Sequence, residues 1–173
     1  MLSLFTIGHS TRPLADLLNL LREAGVKQLV DVRSVPRSRH NPQFEGEALA
    51  RALPAAGIAY RHAPRLGGFR RPRLDSPNTG WEHPAFRGYA DYMGSAEFAA
   101  ALEHLQRDGR ERPTCVMCAE AQWWRCHRRL IADALVVRGW RVEHLGLGSA
   151  PTGHELTPFA VVDGTSITYP PAR

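Results

Sequence analysis

Lysine is nearly absent from this 173-residue chain: of 22 lysine and arginine residues, Lys27 alone is lysine. Arginine's planar fork suits phosphate and carboxylate, although arginine-favouring codon usage yields the same composition. Where the arginines lie therefore says more than how many there are. Cysteine is scarce too. Cys115, Cys118 and Cys126 are an odd number, which argues against a disulfide framework and fits a reducing compartment. No apolar run approaches the roughly 18 residues of a membrane span. Met1 to Ser10 has no basic segment leading into an apolar stretch, so neither a membrane partner nor secretion is expected. The expected location is cytoplasmic. Also missing are the GK[ST] of a Walker loop and, between Cys118 and Arg125, the glycines of a phosphatase cradle. Kinase and tyrosine-phosphatase chemistry lose their usual supports.

What is present is a net charge of +5 and a pI near 9.6, which suit an anionic partner, either a small molecule or nucleic acid. The length, with 43% hydrophobic residues, predicts one domain over 1–173. Apolar runs at Leu4 to Ile7, Leu29 to Val32, Ile58 to Tyr60, Cys115 to Met117 and Val142 to Leu145 predict buried strands. Helical spacing separates most of them. One helix begins near Pro13, capped by Ser10 or Thr11 and stopped by Gly25; others are expected from Glu47 to Ala56, Ser95 to Arg107 and Cys126 to Arg138, the last two stopped by Gly109 and Gly139.

Strands alternating with helices predict an α/β fold: an open, mainly parallel, Rossmann-like sheet flanked by helices. Phe159 to Val162, the turn Asp163-Gly164, and Ser166 to Tyr169 predict a C-terminal β-hairpin, pairing at a sheet edge or with a neighbouring subunit as in a homodimer. Residues 65–93 fit no regular element. Their prolines, arginines and aromatics suggest a long ordered loop lying over a site.

In such sheets ligands bind beyond the carboxyl ends of the strands. There the chain carries His9-Ser10, Asp31-Val32-Arg33 with Arg37, and Cys118-Ala119-Glu120 followed by Arg125-Cys126-His127-Arg128. Each has a plain structural alternative. Ser10 serves as a cap, Asp31 and Arg33 form an ion pair on one strand face, and arginines 65–73 form a solvated loop. Cys115 and Cys118 fall on opposite strand faces, which excludes joint metal binding and assigns Cys115 to the core. Cys118 and Cys126, at a strand end and the following helix start, can meet across a tight loop, either as buried thiols or as a reactive thiolate beside arginine. Adjacent Cys126 and His127, about 100° apart on a helix, make a poor metal pair. Neither metal nor cofactor is expected.

The motifs Thr6-Ile7-Gly8-His9-Ser10, Val30-Asp31-Val32-Arg33-Ser34, Pro36-Arg37-Ser38, Asn41-Pro42-Gln43-Phe44, Leu66-Gly67-Gly68, Gly88-Tyr89-Ala90-Asp91-Tyr92-Met93, Met117-Cys118-Ala119-Glu120, Cys126-His127-Arg128 and Leu156-Thr157-Pro158 carry a family resemblance. The chain resembles the bacterial and archaeal domain-of-unknown-function family 488 over almost its whole length. The resemblance implies a compact α/β fold and brings no settled activity. It adds Asn41, Gln43, Tyr89, Asp91 and Cys126 to the candidate binding residues.

The leading expectation is a hydrolase or transferase acting on a phosphorylated, nucleotide-like or nucleic-acid substrate. Arg33, Arg37 and Arg128 would hold the anion, Glu120 or Asp31 act as acid/base, Cys118 attack, and His9 or His127 move protons. A nucleic-acid binding module with Phe69, Trp81 and Tyr89 as stacking faces, and a thiol-redox or zinc site, are the alternatives.

Overall fold

A computed structural model describes residues 1–172. Strand β1 (Ser3–Gly8) is followed by helix α1 (Leu14–Glu23), β2 (Gln28–Asp31), α2 (Gly46–Ala55), β3 (Ala59–His62), α3 (Pro84–Tyr92) and α4 (Ala96–Glu111). Then come β4 (Thr114–Cys118), α5 (Arg128–Val136), β5 (Arg141–His144), β6 (Thr152–Gly153), β7 (Val161–Asp163) and β8 (Ser166–Thr168). The main sheet has the order β3-β2-β4-β1-β5-β6 and is parallel except for the β5–β6 pair.

Strand alternation sorts the core into two layers. Leu29, Cys115 and Met117 pack with Leu17 and Leu21 of α1 and Leu49 and Leu53 of α2. Val30, Val116 and Cys118 face the other way, against Tyr89 of α3, Phe98 and Leu102 of α4 and Ile131 of α5. The near-continuous apolar strands follow from burial on both faces. No helix among the described residues is long and apolar enough to cross a membrane.

Order and connectivity together place the crevice. From β1 the chain leaves toward β2 and one edge of the sheet, whereas from β4 it leaves toward β5 and the other, yet β1 and β4 are neighbours. Their connections take opposite faces of the sheet, α1 in one core layer and α5 in the other, which makes this the switch point where such sheets bind ligands.

Several local expectations are corrected. Pro13 is the N-cap of α1 and no side chain caps it; Ser10 instead lies in a left-handed turn, φ 50°. Gly109 lies inside α4 rather than ending it: a Cβ there would meet the Trp140 ring at 2.9 Å, so close packing, not termination, explains the glycine. Residues 65–93 begin within a 3₁₀ turn, Pro64–Leu66, and close with α3. That helix escapes periodicity because it begins with Pro84 and holds Gly88 at its centre, where a Cβ would lie 1.9 Å from the Arg70 carbonyl oxygen. The C-terminal hairpin forms, with Gly164 at φ 64° in its two-residue turn, but β7 and β8 make their own two-stranded sheet. The edge position belongs instead to β6, two residues long and too short to leave a pattern.

Candidate active site

The ends of β1 and β4 are tied before any side chain acts. The amides of His9 and Ser10 donate to the carbonyls of Cys118 and Ala119, both at 2.9 Å. A Cβ on Gly8 would sit 1.8 Å from the Glu120 carbonyl oxygen, so only glycine permits this approach. A cleft of about 710 Å³ opens above, lined by Arg33, Arg37, Cys118, Glu120, Cys126 and His127 together with Phe69, Phe86, Trp124 and Arg125. A smaller one of about 320 Å³ adjoins it, with Arg37 and Glu120 in both walls and His9, Arg39 and Asn41 on its far side.

At the floor of the larger cleft, Cys118 is 2% exposed and Cys126 is 8% exposed. Their sulfurs stand 2.9 Å apart, with Cys126 donating. Arg128, fully buried, donates from one terminal nitrogen to Cys118 Sγ and to the Glu120 carbonyl, both at 3.0 Å, and from the other to the Ala121 carbonyl at 3.2 Å. Burial pushes the Cys118 thiol up, but the Cys126 hydrogen bond and the Arg128 charge outweigh it and bring it below its ordinary value. The hydrogen bond to Cys118, with burial, drives Cys126 the opposite way. Of the two thiols, Cys118 is therefore the one that ionises more readily, as a neighbouring guanidinium favours. Cys115, on the opposite face, has its thiol raised by burial.

Cys126 is not on the helix. It follows the 3₁₀ turn Trp123–Arg125 in an extended conformation, and α5 begins only at Arg128. The expected 100° divergence from His127 is therefore replaced by a contact, His127 Nδ1 lying 3.5 Å from Cys126 Sγ. His127 Nε2 donates to the Val32 carbonyl at 3.0 Å, and burial lowers the imidazole pKa to about 4. It is neutral, with its free lone pair toward Cys126. Among the described residues no three His, Cys, Asp or Glu side chains converge as metal ligands.

Asp31 lies beneath the crevice. It is fully buried and accepts from the Arg33 amide, Nε and Nη2 at 3.1, 2.9 and 2.7 Å and from the Tyr60 hydroxyl at 2.7 Å. These four bonds occupy both oxygens and fix the Arg33 side chain. Burial alone would lower Arg33, but the bond and charge of Asp31 hold it above its ordinary value. Its remaining nitrogen points toward His9 Nε2 at 3.4 Å. His9 donates from Nδ1 to the Ser10 carbonyl at 2.8 Å and, with its pKa lowered by burial, is neutral.

Other candidates lie outside both clefts. Gln43 donates to the Arg12 carbonyl at 2.8 Å. Tyr89, fully buried, donates to the Leu66 carbonyl at 2.8 Å. Asp91 fastens the long loop by accepting from the Arg73 amide, Ser76 Oγ and Asn78 Nδ2 at 2.8, 2.6 and 2.7 Å. Arg128 lines neither cleft; its terminal nitrogens go to Cys118 Sγ and the Glu120 and Ala121 carbonyls, and its buried Nε has no hydrogen-bond partner. Of the three expected stacking faces, Trp81 and Tyr89 are buried and only Phe69 projects, 93% exposed at φ 58°. Sequence reasoning missed Tyr60 as partner of Asp31; its place on β3 beside β2 is set by strand register alone.

The profile of the family described as domain of unknown function DUF488 matches residues 13–135. No curated protein and no solved structure matches the chain.

Proposed function

Since this chain belongs to the DUF488 family, whose description names no reaction, we propose from the geometry of its clefts that it is an enzyme using Cys118 as nucleophile on an anionic, phosphorylated or nucleotide-like substrate. The observation that carries this is the Cys118 sulfur, held by Arg128 and Cys126 at the floor of the larger cleft. A thiolate supported by a guanidinium is the reactive form of cysteine. Val35, Phe86 and Trp124 receive the apolar body of the substrate. The anionic group lies toward Arg33 and Arg37, with Arg39 in the adjoining cleft. Arg128 activates the thiol rather than gripping substrate.

In the reaction the Cys118 lone pair forms a bond to the electrophilic carbon or phosphorus, and the bond to the leaving group breaks. Glu120, in the wall shared by both clefts, takes the proton of the water or acceptor that then releases the product from sulfur. Water gives hydrolysis; another acceptor gives transfer.

Two measurements test it. Iodoacetamide labelling mapped by mass spectrometry is expected to modify Cys118 first. A thermal-shift screen with nucleotides and sugar phosphates is expected to find a class that protects Cys118 and stabilises the wild type, by about 2.7 kcal/mol at a hundred times its dissociation constant. Arg37→Ala should lose that shift. Cys118 as inert as Cys115 in the folded protein, or equal stabilisation of Arg37→Ala, would overturn the reading.

A further inference from the structure

The two cleft thiols have a relationship that nucleophilic attack does not use. Cys118 Sγ and Cys126 Sγ are 2.9 Å apart, and a disulfide needs about 2.05 Å. Closing that gap moves the sulfurs by less than an ångström. One thiol ends a strand, where the backbone is fixed by neighbours on both sides. The other sits in the irregular stretch between the turn Trp123–Arg125 and α5. A sulfur at a strand end facing one in an irregular stretch less than an ångström beyond bonding distance needs only a small shift to close the bond. Both border the larger cleft, so a small oxidant reaches them without unfolding. Cys115 packs on the opposite face and serves as an internal control.

Resting on the assignment of Cys118 as a thiolate nucleophile, we propose that Cys118 and Cys126 form a reversible dithiol–disulfide couple that reduces hydroperoxides. The Cys118 sulfur attacks the terminal peroxide oxygen. The O–O bond breaks, the alcohol or water departs with a proton, and Cys118 becomes a sulfenic acid. Cys126 sulfur then attacks that sulfur, the S–O bond breaks, and the leaving hydroxide takes the Cys126 proton as water. Two electrons pass from the dithiol to one peroxide, and an external dithiol restores the pair. His127 Nδ1, 3.5 Å from Cys126 Sγ, faces the thiol that must give up its proton. While oxidised, the site has no thiolate, so the couple also switches the proposed activity off.

The test treats the purified full-length protein with one equivalent of hydrogen peroxide or cumene hydroperoxide and follows intact mass and tryptic peptides. Wild type is expected to lose 2 Da, yield a Cys118–Cys126 linked peptide with Cys115 unmodified, and return on addition of dithiothreitol. Cys126→Ser should instead accumulate a dimedone-reactive sulfenic acid on Cys118, and Cys118→Ser should form no intramolecular disulfide. Progressive addition of 32 and 48 Da on Cys118 in wild type, with no linked peptide, overturns the couple. Cys118 labelling readily with iodoacetamide yet never linking to Cys126 rejects this proposal and leaves the nucleophile standing. Cys118 inert to both reagents removes both.

Discussion

Two buried arginines stand at neighbouring strand ends, and each faces an acid. Arg33 is 7% exposed against Asp31, and Arg128 is fully buried against Cys118. The Asp31 carboxylate spends both oxygens on Arg33 and Tyr60, so its pair is closed and acts as a mount that presents one Arg33 nitrogen toward the crevice. Cys118 receives one Arg128 nitrogen and the Cys126 thiol and borders the cleft. The same residue type thus gives structure where its partner is saturated and reactivity where it is not. A carboxylate with four acceptor sites can be satisfied from within the fold; a sulfur, a weaker and larger acceptor, is left open.

Removing the closed partner should give the largest effect. Asp31→Ala leaves Arg33 uncompensated and is expected to cost about 3–5 kcal/mol, read from urea denaturation. A loss under 1 kcal/mol would erase the distinction between mount and reactive site.

Acid should discriminate next. An unfolded histidine takes up a proton near 6.5, whereas His127, beside the thiols, holds out to about 4 and His144, stacked on Trp123, to about 3. The unfolded state binds more protons in that window, so stability is complete above about pH 6.5 and falls as pH drops below it. For His127 the loss approaches 3 kcal/mol by pH 4, at about 1.4 kcal/mol per unit. Denaturation midpoints between pH 7 and 4 should show this fall, and His127→Gln should flatten part of it. The reverse sign would mean that His127 is charged in the fold.

Arg128→Met tests the open partner. Loss of the guanidinium should raise the Cys118 thiol and slow its iodoacetamide labelling at neutral pH. Arg33→Met should leave that rate within about twofold. The smallest effect belongs to Phe69→Ala, expected within about 0.5 kcal/mol of wild-type stability because the ring is 93% exposed. Any influence it has should appear in ligand binding instead.

Legibility in the sequence followed the range of the interactions. Strands β2 and β4 could be placed from apolar runs because burial on both faces makes each run self-announcing, and β1 and β5 from shorter apolar stretches. The polar groups after those strands were found for the same reason, since a strand end is where a run stops. Failures came where a residue answers to something distant. Gly109 reads as a helix stop until Trp140 packs on it, and α3 is hidden by a proline and a glycine whose reasons lie at its N-terminus and at Arg70. Gln43, Tyr89 and Asp91 were selected by motif and prove to brace loops. Nothing local distinguishes a motif held for binding from one held for shape.

A second network was out of reach altogether. Asp133, His154, His144 and Thr6 form a buried hydrogen-bonded chain across α5, β5 and β1, and Tyr169 donates to the other Asp133 oxygen at 2.8 Å. Its members span most of the chain, and sheet order alone brings them together.

The sequence by itself determined the α/β class, the alternation of strands and helices, the polar edge, and the placement of Cys115 and Cys118 on opposite faces, because periodicity and burial are local properties of the chain. Only the tertiary structure decided the strand order 3-2-4-1-5-6, the switch point between β1 and β4, and that Cys118 borders the cleft whereas Asp31 does not. Those depend on which strand pairs with which, and pairing is fixed by packing between elements far apart in sequence.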